Sequence, residues 1–283
     1  MSLSSAQAHG VAPDIRLIAC DLDGTLLDAE HRISADFWPL LKQLKDKGIV
    51  FCPASGRQYH KLREQFKQAA DGLVFIAENG TCVMRDDQEL RSDCLDISIV
   101  HNLVRTGRKL QATGAQTGSV LCGKRAAYIE WKNPAFQAEV SRYYQRLEVV
   151  DDLLAVDDDF LKLAVFDFSS SQDNVFPAFA HFSATHQVVV SGVHWLDVMV
   201  AHANKGTGLR HVQEMLGIDA SQTMTFGDYL NDLEMMDQAH YSFAMENAHP
   251  QLKARARFTA PANTDNGVVR AIRNLLGLEI TST

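Results

Sequence analysis

Two carboxylates stand two positions apart in the run Asp21-Leu22-Asp23-Gly24-Thr25, directly after a short apolar stretch. A carboxylate can attack a phosphate monoester and form an aspartyl-phosphate, while a second carboxyl protonates the leaving oxygen and then activates water. The glycine permits a tight turn that can bring both acids towards one ligand. Because Asp and Gly are also ordinary turn residues, the run by itself is also compatible with a simple turn.

Two further runs supply groups that bind phosphate. Ser55 and Gly56 offer a hydroxyl and backbone N–H groups, which are good partners for phosphate oxygens at a predicted helix start. Lys205, between Asn204 and Gly206, adds a positive charge against a phosphate. Taken separately, the first pair is compatible with a helix cap and Lys205 with an exposed lysine.

A second pair of acids, Asp228 and Asp232, is spaced four residues apart at a predicted strand-to-helix junction. Both can face one pocket if the helix begins between them. Magnesium prefers oxygen ligands and retains waters, so a site made from Asp21, Asp228 and a main-chain carbonyl is chemically reasonable. The sequence therefore predicts Mg²⁺ as the cofactor.

The elements that must position these residues alternate between strand and helix in the first part of the chain. Apolar runs predict strands at 15–20, 49–53 and 73–77, and helical spacing predicts helices at about 34–48 and 59–66. This order predicts an α/β fold with a doubly wound, mainly parallel, Rossmann-like sheet. Such sheets bind ligands beyond the carboxyl ends of their strands, where Asp21 and Ser55 stand.

The alternation is interrupted and later resumes. Between about residues 82 and 192 the pattern predicts a helix at 97–110 and strands at 126–131 and 161–168. It then predicts strands at 195–200, 223–226 and 241–245 and helices at 205–216, 230–239 and 268–276. We therefore predict a catalytic core formed by residues 1–82 and 193–283, with an inserted α+β cap domain at 83–192.

Composition excludes several classes of protein. The formal net charge of -8 argues against binding nucleic acid by counterion release, and no apolar run approaches the roughly 18 residues of a membrane span. The five cysteines are odd in number and lack close pairs, which predicts free, mostly buried thiols. Without a visible signal segment in residues 1–13, we expect a soluble cytoplasmic monomer or small homo-oligomer that binds neither nucleic acid nor membranes.

Taken together, four ordered motifs resemble those of the haloacid dehalogenase (HAD) superfamily. They are Asp21-Leu22-Asp23-Gly24-Thr25, Ser55-Gly56-Arg57, Lys205-Gly206 and Gly227-Asp228-Tyr229-Leu230-Asn231-Asp232. The insertion, which begins after Glu78-Asn79-Gly80 and ends before Lys205, resembles that of the Cof-type phosphatases, which carry an α/β cap of the C2 class. The similarity spans both halves of the predicted core.

The resemblance implies roles for the acidic residues. Asp21 is expected to be the nucleophile and a metal ligand, and Asp23 the general acid/base and a metal ligand through its carbonyl. Asp228 is expected to bind the metal directly, and Asp232 to orient the groups around it.

The resemblance also implies phosphate contacts from Ser55, Gly56, Lys205 and Asn231. Two departures from the family pattern stand out. Ser55 replaces the commoner Thr but keeps the hydroxyl, and Tyr229 replaces a small residue. The Tyr229 side chain is expected either to border the pocket or to pack outwards.

The leading prediction is a phosphatase acting on a small phosphorylated metabolite, with a sugar phosphate favoured because C2-capped relatives often use one. A phosphosugar mutase or phosphotransferase is the alternative enzyme, since an aspartyl-phosphate can be passed to another hydroxyl. A non-catalytic phospholigand-binding regulator is the alternative outside enzymes. In the cap, Lys124, Arg125 and Tyr128 are candidates for substrate recognition, and the acidic runs at 151–152 and 157–159 are interpreted as solvated turns.

Overall fold

The computed structural model describes residues 13–279 of the chain. Residues 1–12, which include most of the segment searched for a signal, lie outside the described part, as do 280–283. The described chain divides into two compact units. The first contains residues 13–55, 68–76 and 205–279, and the second contains 56–67 and 77–204.

The elements are numbered along the chain. The strands are β1 (Leu17–Cys20), β2 (Val50–Pro53), β3 (Val74–Ala77), β4 (Cys82–Arg85), β5 (Gln88–Ser92), β6 (Thr117–Gly123), β7 (Ala127–Ile129), β8 (Leu147–Val149), β9 (Phe160–Asp167), β10 (His186–Val190), β11 (Trp195–Val200), β12 (Thr223–Gly227), β13 (Tyr241–Met245) and β14 (Phe258–Ala260). The helices are α1 (Phe37–Asp46), α2 (Tyr59–Gln65), α3 (Ile97–Ala112), α4 (Pro134–Val140), α5 (Phe176–Phe179), α6 (Lys205–Leu216), α7 (Leu233–Asp237), α8 (Pro250–Arg255) and α9 (Gly267–Leu276).

The first unit is built on a parallel sheet with the strand order β14-β13-β12-β1-β2. All four residues of β1 are buried, as expected for a strand covered on both faces of a parallel sheet. The predicted third strand is present as β3, and a single parallel bridge between Ala54 and Ile76 connects it to the end of β2. The predicted α/β fold with a mainly parallel sheet is confirmed.

Helix α1 shows why the apolar spacing forms a helix here. Phe37, Leu40, Leu41 and Leu44 recur at helical spacing and are all buried. The helix begins at Phe37 rather than at the predicted position 34, because the side chain and carbonyl of Ser34 instead accept hydrogen bonds in the preceding turn.

The second unit contains a six-stranded sheet with the order β10-β11-β9-β6-β7-β8. Its neighbouring strands are antiparallel except for the parallel pair β7 and β8. Strands β4 and β5 pair as an antiparallel hairpin outside the six-stranded sheet. Helix α3 packs against β6 and β9, and Phe136 of α4 lies in an apolar cluster with residues of β6, β7 and β9.

One strand lies in a different unit from the expected one. Residues 195–200 were assigned to the catalytic core at 193–283, but β11 pairs with β9, with Trp195 opposite Phe166, and with β10. The second unit therefore continues to residue 204. Helix α2, also expected in the core, belongs to the second unit as well. The apolar pattern identified β11 as a strand, but such a pattern does not specify which strands pair with it.

The described cysteines bear out the prediction of free thiols. All five are unbridged, and four are buried while Cys94 is exposed. Burial raises the pKa of the Cys82 thiol to about 12, so this side chain stays neutral at ordinary pH.

In residues 13–279, every helix is too short or too polar to cross a membrane.

Candidate active site

The parallel sheet of the first unit brings three polar segments to one edge. Strand β1 lies between β2 and β12 with its residues in register with both, so the chain leaves all three strands at the same edge. Asp21 follows β1 directly, Ser55 is the second residue after β2, and Asp228 follows β12. This is the edge at which open α/β sheets bind ligands.

Lys205 lies at the centre of the acidic residues. Its Nζ donates hydrogen bonds to Asp21 Oδ1 at 2.5 Å and to Asp232 Oδ1 at 2.7 Å. Lys205 and Asp232 are 0% exposed and Asp21 is 5% exposed. The interpretation of Lys205 as an exposed lysine is therefore wrong, since the ammonium group is buried between two carboxylates.

The cluster holds three carboxylates and one ammonium group, and burial has the largest effect on the pKa values of Asp21 and Asp228. Burial raises the pKa of Asp21 to about 7, with Lys205 acting against this rise and Asp232 adding to it. Burial, and then repulsion from Asp21, raises the pKa of Asp228 well above its usual value. For Lys205, burial lowers the pKa, but the neighbouring carboxylates outweigh burial and raise it above its usual value. The cluster therefore favours an added cation.

Three carboxylates form a possible metal site. Oxygen atoms of Asp21, Asp228 and Asp232 lie within 4.8 Å of one another. Asp232 already uses both oxygens, because Oδ1 accepts from Lys205 and Oδ2 accepts from the backbone N–H of Asp228 at 3.0 Å. An all-oxygen donor set of this kind fits a hard divalent cation such as Mg²⁺. The remaining lone pairs of Asp21 and Asp228 make these two residues the better candidates for direct ligands.

The turn after β1 depends on Gly24. Its φ of +76° is in the left-handed region, and a Cβ at this position would overlap the carboxylate of Asp228. The Gly24 carbonyl accepts a hydrogen bond from Asn247 Nδ2 at 2.8 Å, and Thr25 Oγ1 donates to Asp228 Oδ1 at 3.2 Å. Asn247, which lies in the turn after β13, had no predicted role because no motif marks it.

Asp23 is in a different environment from Asp21. Its side chain is 33% exposed, and Oδ1 is 3.1 Å from Nδ1 of His31. His31 was another residue without a predicted role. One acid of the motif is therefore buried beside an ammonium group, while the other is accessible to water and contacts an imidazole.

The other site residues predicted in the first unit, Ser55, Tyr229 and Asn231, follow the ends of β2 and β12 within a few positions of the sequence. Ser55 is buried, and its backbone N–H donates to the carbonyl of Ile76 at 2.9 Å. Asn231 is buried in the turn before α7. Tyr229 is half-buried, and its ring packs edge-on against His249 with centroids 5.6 Å apart.

The three cap candidates are engaged with acids of the second unit. Lys124 forms an ion pair with Glu89 at 3.1 Å, while Tyr128 Oη donates to Asp158 Oδ2 at 2.8 Å. Arg125 and Tyr128 line a cavity of about 540 Å³ together with several acidic residues. Gly56 also belongs to this unit, where its carbonyl accepts a hydrogen bond from Lys162.

Comparison with known proteins decides the family. The model of the haloacid dehalogenase-like hydrolases matches residues 18–272, which include every predicted site residue. The chain belongs to this family. The resemblance found in the four motifs is thereby confirmed.

Individual relatives match nearly the whole chain. A 5-amino-6-(5-phospho-D-ribitylamino)uracil phosphatase of Escherichia coli (strain K12) is 34% identical over 274 residues, which cover 93% of this chain and 96% of that protein. An HMP-PP phosphatase of Serratia proteamaculans (strain 568) is 27% identical over 264 residues, which cover 84% of this chain and 86% of that protein. A crystal structure of a protein from Streptococcus mutans UA159 has a TM-score of 0.86 at 27% identity, and the match covers 93% of this chain and 100% of that one. The two named phosphatases support the prediction of a HAD-type phosphatase, and the solved structure supports the fold.

Proposed function

We propose that this HAD-type phosphatase is Mg²⁺-dependent and hydrolyses a small phosphorylated metabolite through an aspartyl-phosphate on Asp21. The observation that carries the proposal is the buried Lys205 ammonium, hydrogen-bonded to both Asp21 and Asp232. This arrangement holds a carboxylate in place at the ligand-binding edge of the sheet. It also leaves the Asp228 carboxylate beside Asp21 without a lysine partner of its own among the described residues.

The two acids of the motif divide the chemistry. An oxygen of Asp21 attacks phosphorus, and the bond between phosphorus and the leaving oxygen breaks as Asp23 gives that oxygen a proton. Asp23 then takes a proton from water, which attacks phosphorus and releases inorganic phosphate and the Asp21 carboxylate. The exposure of Asp23 and its contact with His31 support a group that exchanges protons with solvent.

The metal ligands would be the carboxylates of Asp21 and Asp228 and the main-chain carbonyl of Asp23. Bound there, Mg²⁺ supplies positive charge that neutralises the phosphate and the excess carboxylates. Asp232 keeps its predicted role of orienting the site, since both its oxygens are hydrogen-bonded to Lys205 and the backbone after β12. Thr25 and Asn247 support the same site by holding Asp228 and the Gly24 carbonyl.

Phosphate would be bound by the hydroxyl of Ser55, the backbone at Gly56, the ammonium of Lys205 and the amide of Asn231. The positive charge of Lys205 supports its role in phosphate binding. Burial lowers the pKa of its ammonium group, but the neighbouring carboxylates raise it above the usual value, so the group stays charged. The Tyr229 ring packs against His249 but is only half-buried, so its exposed part is proposed as a contact for the leaving group.

We assign the catalytic core to the first unit and the substrate-selecting cap to the second. The proposed substrate class is supported by the name of the 34% identical protein, which specifies a phosphate on a ribityl chain. A phosphorylated sugar or sugar alcohol is therefore the proposed substrate. A cytoplasmic location is part of the same proposal, and the unbridged cysteines agree with a reducing compartment.

The test is turnover of an aryl phosphate and of ribityl and sugar phosphates in oxygen-18 water, with Mg²⁺ and with EDTA. Hydrolysis places the label in free phosphate and stops when the metal is removed. Transfer of phosphate to a second sugar without label would identify a mutase or phosphotransferase instead. Phosphate-ester binding without turnover at any Mg²⁺ concentration would identify a binding protein.

A further inference from the structure

The second unit contains a buried cluster of charges that the proposed chemistry does not use. Lys162 of β9 has its Nζ 3.1 Å from Glu78 Oε2 and 3.3 Å from Asp197 Oδ1. The same Nζ donates a hydrogen bond to the carbonyl oxygen of Gly56 at 2.8 Å. All three charged residues are at most 2% exposed.

This cluster is poorly explained by stability alone. Three charges taken from water lose hydration, and a buried ion pair is often no more stable than apolar residues of similar volume. The pairing is also incomplete, because within residues 13–279 neither carboxylate oxygen of Glu78 accepts a hydrogen bond of good geometry. The hydrogen bond from Lys162 to Gly56 is the feature that connects the cluster to a predicted site residue.

The turn that carries Glu78 is held in an unfavourable backbone conformation. Glu78 and Asn79 have φ values of +49° and +57°, in the left-handed region that non-glycine residues seldom adopt. Such conformations persist where the surrounding structure enforces them, often at functional sites. Here the turn is fixed by Lys162 at the Glu78 carboxylate and by a hydrogen bond between Asn79 Nδ2 and Asp197 Oδ2.

The same turn closes against the segment at Gly56. The backbone N–H of Glu78 donates to the carbonyl of Arg57 at 3.1 Å, and a Cβ at Gly56 would approach the Asn79 amide to 3.1 Å. With Lys162 bonded to the Gly56 carbonyl, two successive carbonyls of this segment accept from donors of the cluster. The orientation of both peptide groups is therefore set from this side.

We propose that Lys162 is a positioning residue for phosphate binding, which acts by fixing the peptide that follows Gly56. In a trans peptide the C=O and N–H point in opposite directions, so holding the Gly56 oxygen aims the N–H of Arg57 away from Lys162. A hydrogen bond from an ammonium group also polarises the peptide and strengthens that N–H as a donor. The inference rests on the proposed function, in which Ser55 and Gly56 bind the phosphate.

The test uses the full chain with Lys162→Met, an aryl phosphate as substrate and inorganic phosphate as inhibitor. We expect KM and the inhibition constant of phosphate to rise by about tenfold or more, because small displacements of binding groups have large effects. A purely structural role would reduce the active fraction, which lowers apparent kcat but leaves KM and the inhibition constant unchanged. That result would overturn the proposal.

A second variant removes the risk that Lys162→Met leaves two buried carboxylates unpaired and does not fold. In the triple variant Lys162→Met, Glu78→Gln and Asp197→Asn, the cluster is neutral, and thermal unfolding verifies the fold. Weak phosphate binding by the folded triple variant supports the positioning role, and wild-type binding refutes it. Arg108→Gln is the matched control, because Arg108 pairs with Glu130 and Asp152 in the same unit; we expect wild-type KM.

Ser55→Ala separates failure of this inference from failure of the proposed function. If Ser55→Ala leaves phosphate binding unchanged, the assignment of the phosphate site is wrong. If it weakens binding while Lys162→Met and the triple variant do not, only the positioning role is wrong. When both hold, the double variant Ser55→Ala with Lys162→Met should lose less than the product of the single losses, because both act on one segment.

Discussion

Within residues 13–279, Lys205 and Lys162 are the two buried lysines, and each lies between two carboxylates; the two clusters differ in what else they contain. In the first unit Lys205 pairs with Asp21 and Asp232, and Asp228 adds a third carboxylate nearby. In the second unit Lys162 pairs with Glu78 and Asp197, and its remaining hydrogen bond goes to a backbone carbonyl.

The difference in net charge determines what each cluster can do. An excess of buried carboxylate attracts a divalent cation and leaves oxygen atoms available for chemistry. The Lys162 cluster lacks the third carboxylate in the described residues, and its lysine is directed at the main chain. We therefore propose that the same trio of charges serves reaction chemistry in one unit and backbone positioning in the other.

The largest expected effect separates the two clusters by replacing one carboxylate in each. Asp21→Asn should lower kcat by at least about a thousandfold, because the amide cannot serve as the nucleophile. Asp197→Asn should act mainly on KM and retain most of kcat. Steady-state kinetics with Mg²⁺, and circular dichroism to verify the fold, measure both variants. Full turnover by Asp21→Asn would refute the nucleophile assignment.

The next prediction concerns the carboxylate that only the first cluster has. Asp228→Asn should remove the rise in melting temperature that we expect Mg²⁺ to cause in the wild type, because the variant lacks a proposed metal ligand. Without metal the same variant should be the more stable protein, since repulsion between Asp228 and Asp21 is relieved. Thermal unfolding with EDTA and with Mg²⁺ checks both statements, and an unchanged response to Mg²⁺ would contradict the ligand assignment.

Replacing each lysine tests whether the two clusters respond differently to Mg²⁺. Lys205→Met and Lys162→Met should each lower the free energy of unfolding by about 3–5 kcal/mol, because each leaves two buried carboxylates unpaired. Mg²⁺ should recover part of this loss only in Lys205→Met, where the cation replaces the missing positive charge. Urea unfolding with and without Mg²⁺ measures the recovery. Equal recovery in both variants would show that the clusters do not differ in this way.

The smallest effect is expected from Glu78→Gln, which leaves Lys162 balanced by Asp197. The free energy of unfolding at pH 7 should change by less than about 1 kcal/mol. Burial raises the pKa of Glu78, so the folded protein binds this proton more tightly than the unfolded chain does. Its contribution to stability is therefore lost as pH rises from about 4.3 through the folded pKa.

Urea unfolding of wild type and Glu78→Gln between pH 4 and pH 8 checks that sign. The stability of the wild type relative to the variant should decline as the pH rises. A relative stability that increases with pH would mean that the pairing with Lys162 outweighs burial.

Much of the fold and of the site was readable from local sequence. The apolar run before Asp21 predicted a buried strand, and the helical spacing from Phe37 to Leu44 predicted α1, because both patterns reflect which side of an element faces the core. The four motifs were specific as a set, and the family that they resemble is confirmed. The roles of their residues remain predictions that the variants above test.

Other features depended on contacts between distant segments. The apolar pattern that identified β11 did not show that its partner is β9. Asn247 and His31 contact the Asp21 turn from positions that carry no motif. Lys162 had no sequence signal at all, since a lysine within an apolar strand shows its partners only after folding.

By itself, the sequence determined the order of the motifs and the strands that precede them, because strand and turn formation follow local pattern. Only the tertiary structure decided the state of the charges. Lys205 is an ordinary lysine in sequence and becomes a buried cation because β1 and β12 bring Asp21 and Asp232 to it. The low dielectric of the interior then makes each such pairing strong and each unpaired charge costly.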